Sequence, residues 1–164
     1  MTVDTMEKLL VDELKDLYSA ENQITKALPK MAKNASSEEL RKAFETHLKE
    51  TEGQIKRLDR VFEVLEKTCG GKTCKAMKGL LEEGAEVMEE TEGDVRDAAL
   101  ISAAQKVEHY EMAGYGAVRT YAQLLGQKEI ATLLQQTLDE EGETDKKLTQ
   151  IAGKINKQAQ RNAA

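Results

Sequence analysis

The sequence predicts an all-α protein in which two long helical hairpins are joined by a crossover carrying a short fifth helix. Three observations lead there. Charged residues of both signs make up 33% of the chain and aromatics only 4%, without long β-branched alternation, which is the profile of long amphipathic helices rather than of a sheet. Apolar residues recur at steps of three and four through four long segments. A shift of ninety residues lays the first hairpin on the second without a gap.

The first helix is expected from Thr5 to Asn34. Leu10, Leu14, Leu17, Ile24, Leu28 and Met31 form its inner stripe, with one double step that passes over Glu21. Pro29 lacks the N–H that bonds one turn back and should kink it. The second helix starts at "SSEE", where Ser36 and Glu39 fit a capping box, and runs to Lys67. Leu40, Phe44, His47, Leu58, Val61 and Leu65 face inward, and Glu50 sits mid-stripe.

"TCGGKTCK" breaks the periodicity. The short helix follows from Lys75 to Glu90, apolar at Met77, Leu80, Leu81, Ala85 and Met88. "TEGD" stops it, and Asp94 suits the cap of a helix from Val95 to Leu125, which Gly126 ends. Its stripe is Ile101, Ala104, Glu108, Glu111, Tyr115, Val118 and Ala122. The last helix covers Lys128 to Lys157, with Ile130, Leu133, Thr137, Glu140, Thr144, Leu148, Ile151 and Ile155 inward. The chain thus reads as one domain: hairpin 5–67, crossover 68–93, hairpin 94–157 and a frayed tail 158–164. Short loops make antiparallel neighbours, and a long crossover between the pairs gives the ferritin-like four-helix topology.

The net charge of −6, with no basic stripe, argues against nucleic acid as a partner. No stretch approaches the length of a membrane span, and no helix has a strongly basic polar face. "MTVDTMEKLL" lacks the basic start and apolar centre of a signal peptide, so a cytoplasmic location is expected. Cys69 and Cys74 in "CGGKTC" have neither zinc-knuckle nor thioredoxin spacing and read as two reduced loop thiols.

The ninety-residue shift carries the functional signal. It lays Glu21 on Glu111 and Glu50 on Glu140, so that two inward glutamates of each hairpin converge on one central level. Unpaired carboxylates in a dry core cost several kcal/mol each and repel one another. Two divalent cations would supply four positive charges against four negative. Oxygen-rich ligation with some imidazole suits iron or manganese. The shift also lays Tyr18 on Glu108, which places the ring near the same region, in a hydrogen bond to a ligand. Glu141 and Asp139 read as a solvated face, His109 as a surface or packing residue, and Tyr115 and Tyr121 as core filler.

The segments "DLYSAENQITKALPKMA", "HLKETEGQIKRLD", "VRDAALISAAQKVEHYE" and "TLDEEGETDKKLT" resemble the YciF-like branch of the ferritin-like di-metal carboxylate superfamily over nearly the whole chain. The resemblance implies a ferritin-like bundle, a homodimer, and a link to stress responses. The superfamily pattern is a Glu on the first and third main helices and Glu-x-x-His on the second and fourth. Glu21, Glu50, Glu111 and Glu140 fill the four Glu places, whereas the histidine places hold Gly53 and Glu143. His47, one turn before Glu50, is then a ligand from the other side, and Glu143 an oxygen ligand. Glu108 resembles the extra carboxylate of rubrerythrins, which switches coordination with oxidation state.

The functional expectation is a centre of two Fe or Mn ions with oxygen- or peroxide-linked oxidase or peroxidase chemistry. It would depend on an external electron donor, because the chain has no rubredoxin-like four-cysteine module. The competing reading is a metal-free bundle with a structural or protein-interaction role.

Overall fold

The computed structural model describes residues 2–162, and all regular structure among them is helical. The elements are α1 (Met6–Asn34), α2 (Glu38–Val64), α3 (Lys75–Glu90), α4 (Gly93–Leu124) and α5 (Lys128–Asn162). The architecture is the one the periodicity predicts. α1 and α2 form one antiparallel hairpin, α4 and α5 the other, and the crossover carries α3. α1 packs on α4 and α2 packs on α5, which closes the four-helix bundle, while α3 covers the outer side of α4 and α1.

Most departures from the expected boundaries are local. α1 runs unbroken through Pro29, whose ring faces solvent, where the freed carbonyl one turn back can be hydrated. α2 stops at Val64, before Lys67, because Glu66 takes the left-handed conformation with φ +53°. α4 ends ahead of Gly126, which has φ +71°. α5 continues through Asn162, so the segment expected to fray from 158 is helical as far as it is described; residues 163–164 lie outside the described range. Asp94 is not a cap. It lies in the first turn of α4 and accepts a hydrogen bond from Asn162 Nδ2.

The start of α2 differs for a tertiary reason. Ser37, not Ser36, caps the helix, accepting from the Leu40 N–H at 3.3 Å. The N–H groups of Ser36 and Ser37 both donate to the carboxylate of Asp97 on α4, at 2.8 and 2.7 Å. Glu39 points outward to Lys154 at 3.0 Å. A fully buried acid from the second hairpin therefore does the work that a local capping box was expected to do. Asp97→Ala leaves two amides without an acceptor and is expected to cost about 3 kcal/mol in urea or thermal unfolding, with Asp97→Asn losing less.

The apolar core falls into two clusters stacked along the bundle. One holds Leu10, Leu14, Leu17, Leu58, Val61, Phe62, Val118, Ile130 and Leu134. The other holds Ile24, Leu28, Leu40, Phe44, Leu100, Ile101, Leu148 and Ile151. Gly114 lets α4 come close to α1 between them: a Cβ there would sit 2.8 Å from Leu17 Cδ2. The layer separating the clusters is polar.

Candidate metal centre

Each long helix interrupts its apolar stripe at that level. On α1, Glu21 stands between Leu17 and Ile24; on α2, His47 follows Phe44 by one turn. On α4, Glu108 and Glu111 lie one turn apart ahead of Tyr115. On α5, Glu141 lies between Leu134 and Leu148. None of these five side chains is more than 5% exposed. Helical spacing of three and four keeps each of them on the face its apolar neighbours already bury.

His47, Glu108, Glu111 and Glu141 each offer a ligand atom, and these atoms all lie within 4.8 Å of one another. His47 Nε2 is 2.9 Å from Glu108 Oε1, but a ring N–H there would not point along the contact, so neither imidazole nitrogen makes an aligned hydrogen bond. Glu21 lies beside Glu111 and accepts from the Tyr115 hydroxyl. Both oxygens of Glu111, both of Glu141, and Oε2 of Glu21 and of Glu108 face no protein donor. A proton held between neighbouring carboxyls, a buried water or a bound cation would satisfy them.

Electrostatics follow from that crowding. Burial pushes Glu111 and Glu141 well above the ordinary carboxylate range, and neighbouring acids push them further. Burial also raises Glu21 to about 7, against the hydrogen bonds from Tyr115 and Glu111 that favour its anion. Burial, the largest single effect, would lower His47, but the carboxylates of Glu108, Glu50 and Glu21 together outweigh it and lift the imidazole to about 10. Burial likewise opposes ionisation of Glu108, yet the His47 charge holds it below its usual value. Without a cation, the layer thus favours the charged forms of His47 and Glu108 and the protonated forms of Glu111 and Glu141.

Comparison with known proteins places the chain. The family described as Domain of unknown function (DUF892) matches residues 5–161. The chain belongs to the DUF892 family. It is 51% identical to Protein YciF of Escherichia coli (strain K12) over 167 residues, covering 99% of this chain and 100% of that protein. The crystal structure of the E. coli stress protein YciF matches with a TM-score of 0.91 at 50% identity, over 94% of this chain and 99% of that one. YcfI of Rhodopseudomonas palustris, described as a proposed structural protein, matches with a TM-score of 0.87 at 44% identity, over 90% and 94% of the two chains. A Xanthomonas campestris protein shares the fold alone, with a TM-score of 0.78 at 22% identity over 98% and 100%.

In this DUF892 chain the glutamates expected to converge do so only in part. Glu108, Glu111 and His47 meet in the polar layer, with Glu21 buried beside Glu111. Glu140 does not: it is gripped from both sides by Arg57, with Nη1–Oε2 at 3.0 Å and Nη2–Oε1 at 2.8 Å, and Gln54 Nε2 donates to it at 3.2 Å. Its neighbour Glu141, read as solvated, is the buried acid of α5. The correction is one of register. The sequence reading stepped through Leu133 and Glu140, whereas the helix buries Ile130, Leu134, Thr137, Glu141, Leu148, Ile151 and Ile155. Those positions step by four and three apart from one step of seven between Glu141 and Leu148, and the stripe through Leu133 and Glu140 is equally periodic, so spacing alone does not choose between them.

The ninety-residue symmetry misled here, since Glu141 corresponds to Thr51, which is buried as well, and the layer is not two-fold symmetric. Glu50 is half-buried beside the layer, its Oε2 at 3.9 Å from His47 Nδ1 and accepting from Thr144 at 3.4 Å. The nearby His47 comes first among the influences that hold it below the usual carboxylate range. Glu143 points to solvent and pairs with Lys146 at 2.7 Å. Tyr18 is not at the layer either: it packs edge-on against Phe62, with centroids 6.0 Å apart, and a hydrogen bond to Cys69 leads the effects raising its hydroxyl to about 12. The tyrosine that reaches a buried glutamate is Tyr115, which sequence reasoning treated as filler.

His109 lies on the surface, 3.2 Å from Asp145. Cys74 is buried and caps α3, its sulfur accepting from the Met77 N–H at 3.4 Å.

The donor set fits a hard or borderline cation. It is three carboxylates and one imidazole, with the Glu21 carboxylate beside Glu111 and most oxygens lacking donors. Softer thiolate ligation plays no part in it. The protein therefore has a buried group of His and Glu residues that could hold a metal ion. No helix among the described residues is long and apolar enough to cross a membrane.

Proposed function

We propose that this chain is a ferritin-like protein whose polar layer holds two iron or manganese ions and that it acts in the stress response of its bacterial host. The observation that carries the reading is the set of buried carboxylate oxygens with no donor, gathered from three helices around His47. Leaving such groups unpaired would cost a large share of a domain's total stability, roughly 5–15 kcal/mol. His47, Glu108, Glu111 and Glu141 would hold the ions, with Glu21 beside Glu111. Bound iron or manganese supplies one-electron chemistry toward oxygen or peroxide.

The chain's own residues do the rest. Glu111 and Glu141 release protons when they become ligands, as does His47. Tyr115 orients Glu21 through its hydroxyl. The two apolar clusters above and below keep bulk water from the layer. A dimeric, cytoplasmic protein drawing electrons from a separate donor completes the proposal. The stress connection comes from the relative described as the E. coli stress protein YciF.

Purification without chelators, followed by elemental analysis, tests this. About two equivalents of Fe or Mn per chain are expected, with a rise in melting temperature over the chelated protein. Absence of metal, with no response to added iron or manganese, would hand the site to a second reading. In that reading the layer is a protonated hydrogen-bonded girdle in a structural or interaction protein. Two observations favour it: protons alone can neutralise the layer, and the R. palustris relative is described in structural terms.

A further inference from the structure

The polar layer is not sealed. A cavity of about 100 Å³ opens between α2 and α5. His47 and Glu108 form its floor, and Glu50, Glu143, Thr144 and Lys147 stand at its mouth. His47 is only 5% exposed and Glu108 1%, and both ring nitrogens of His47 and Oε2 of Glu108 lack aligned hydrogen bonds. An unpartnered imidazole and an unpartnered carboxylate oxygen at the bottom of a cleft are the mark of a route toward these ligands.

Glu50 is placed to offer an arriving ion its first protein oxygens. Its side chain is 40% exposed at the mouth, and its Oε2 is 3.9 Å from His47 Nδ1. Among the described residues it accepts one aligned hydrogen bond, a long one from Thr144 at 3.4 Å. Glu140 and Glu143 differ in this respect, for each is paired with a cation, Arg57 and Lys146.

We propose that the cleft between α2 and α5 is the entry route for divalent cations, with Glu50 as the transit ligand that hands the ion to His47 and Glu108, and Lys147 as the charge that opposes entry. This deepens the metal-binding proposal and rests on it. Glu50 therefore governs how fast the site fills and leaves how much it holds unchanged.

Stopped-flow mixing of the chelated protein with Co²⁺, read by its ligand-field absorption, separates the two ideas, because the amplitude reports the site and the rate reports the route. Glu50→Ala is expected to reach the wild-type amplitude about five-fold or more slowly, and Lys147→Gln to reach it faster than wild type. Glu63→Ala, on the exposed face of α2, should leave both readings alone. A wild-type rate in Glu50→Ala overturns the proposal. So does a reduced amplitude in that variant, since Glu50 would then be a resident ligand. No Co²⁺ signal in the wild-type protein refutes the metal-binding reading itself, and the route with it.

Discussion

Glu141→Gln will abolish tight metal binding, whereas Glu140→Gln, one residue away, will leave it near wild type. Glu141 is buried among His47, Glu108 and Glu111, with both oxygens free of donors. Glu140 already spends its oxygens on Arg57 and Gln54. Losing an anionic ligand is expected to weaken Fe or Mn binding by about 100-fold or more, readable by competition with a chelator of known affinity. Stability moves the other way in the chelated protein: Glu141→Gln removes a carboxylate that the dry layer disfavours, so its urea midpoint at pH 8 should rise. Glu140→Gln breaks a bidentate pair with Arg57 and should lower that midpoint. Equal metal loss in both variants would exclude the polar layer as the site.

The chelated protein will also lose stability as pH rises from 5 to 9, the reverse of what a domain rich in ionised surface carboxylates would show. Glu21 titrates at about 7 when folded, against an ordinary 4.5, and Glu111 and Glu141 lie well above that ordinary value. A folded state that binds more protons than the unfolded one becomes less stable with every step upward in pH. At about 1.4 kcal/mol per pH unit, Glu21 alone accounts for about 3 kcal/mol between pH 4.5 and 7. His47 adds to the trend: its contribution is complete below 6.5 and fades as pH rises from there to about 10. Glu108, held low, contributes above 4.5 and opposes only at acid pH.

Bound divalent cations stabilise the ionised ligands instead, so the metal-loaded protein should keep its midpoint to alkaline pH. Urea midpoints at pH 5, 7 and 9, with and without metal, give the comparison. Parallel pH profiles would mean that the layer does not titrate on metal release.

How far the residues alone could be read depends on what sets each feature. The helices and their pairing were legible because burial of a stripe at steps of three and four is a local pattern, and five segments of it leave few ways to pack. Glu21, Glu108 and Glu111 were legible for the same reason, each standing in an apolar stripe that could not face water. His47 appeared on its stripe too, although only the distance to Glu108 shows it facing the acids. Glu140 was mistaken for Glu141 because Leu133 and Leu134 both suit a core position, and trust in internal symmetry chose the wrong one. Tyr18 was misplaced by that same symmetry.

The sequence by itself determined the five helices, the two hairpins and an acidic level midway along them, since these follow from periodicity and from the cost of burying charge. Only the tertiary structure decided which acids share that level. A helix turns 100° per residue, so a shift of one position on α5 moves a carboxylate from the interior to the grip of Arg57 on α2. The Asp97 cap on α2 and the Tyr115 hydroxyl on Glu21 likewise join residues 61 and 94 positions apart. Packing between hairpins creates such contacts, and no local pattern encodes them.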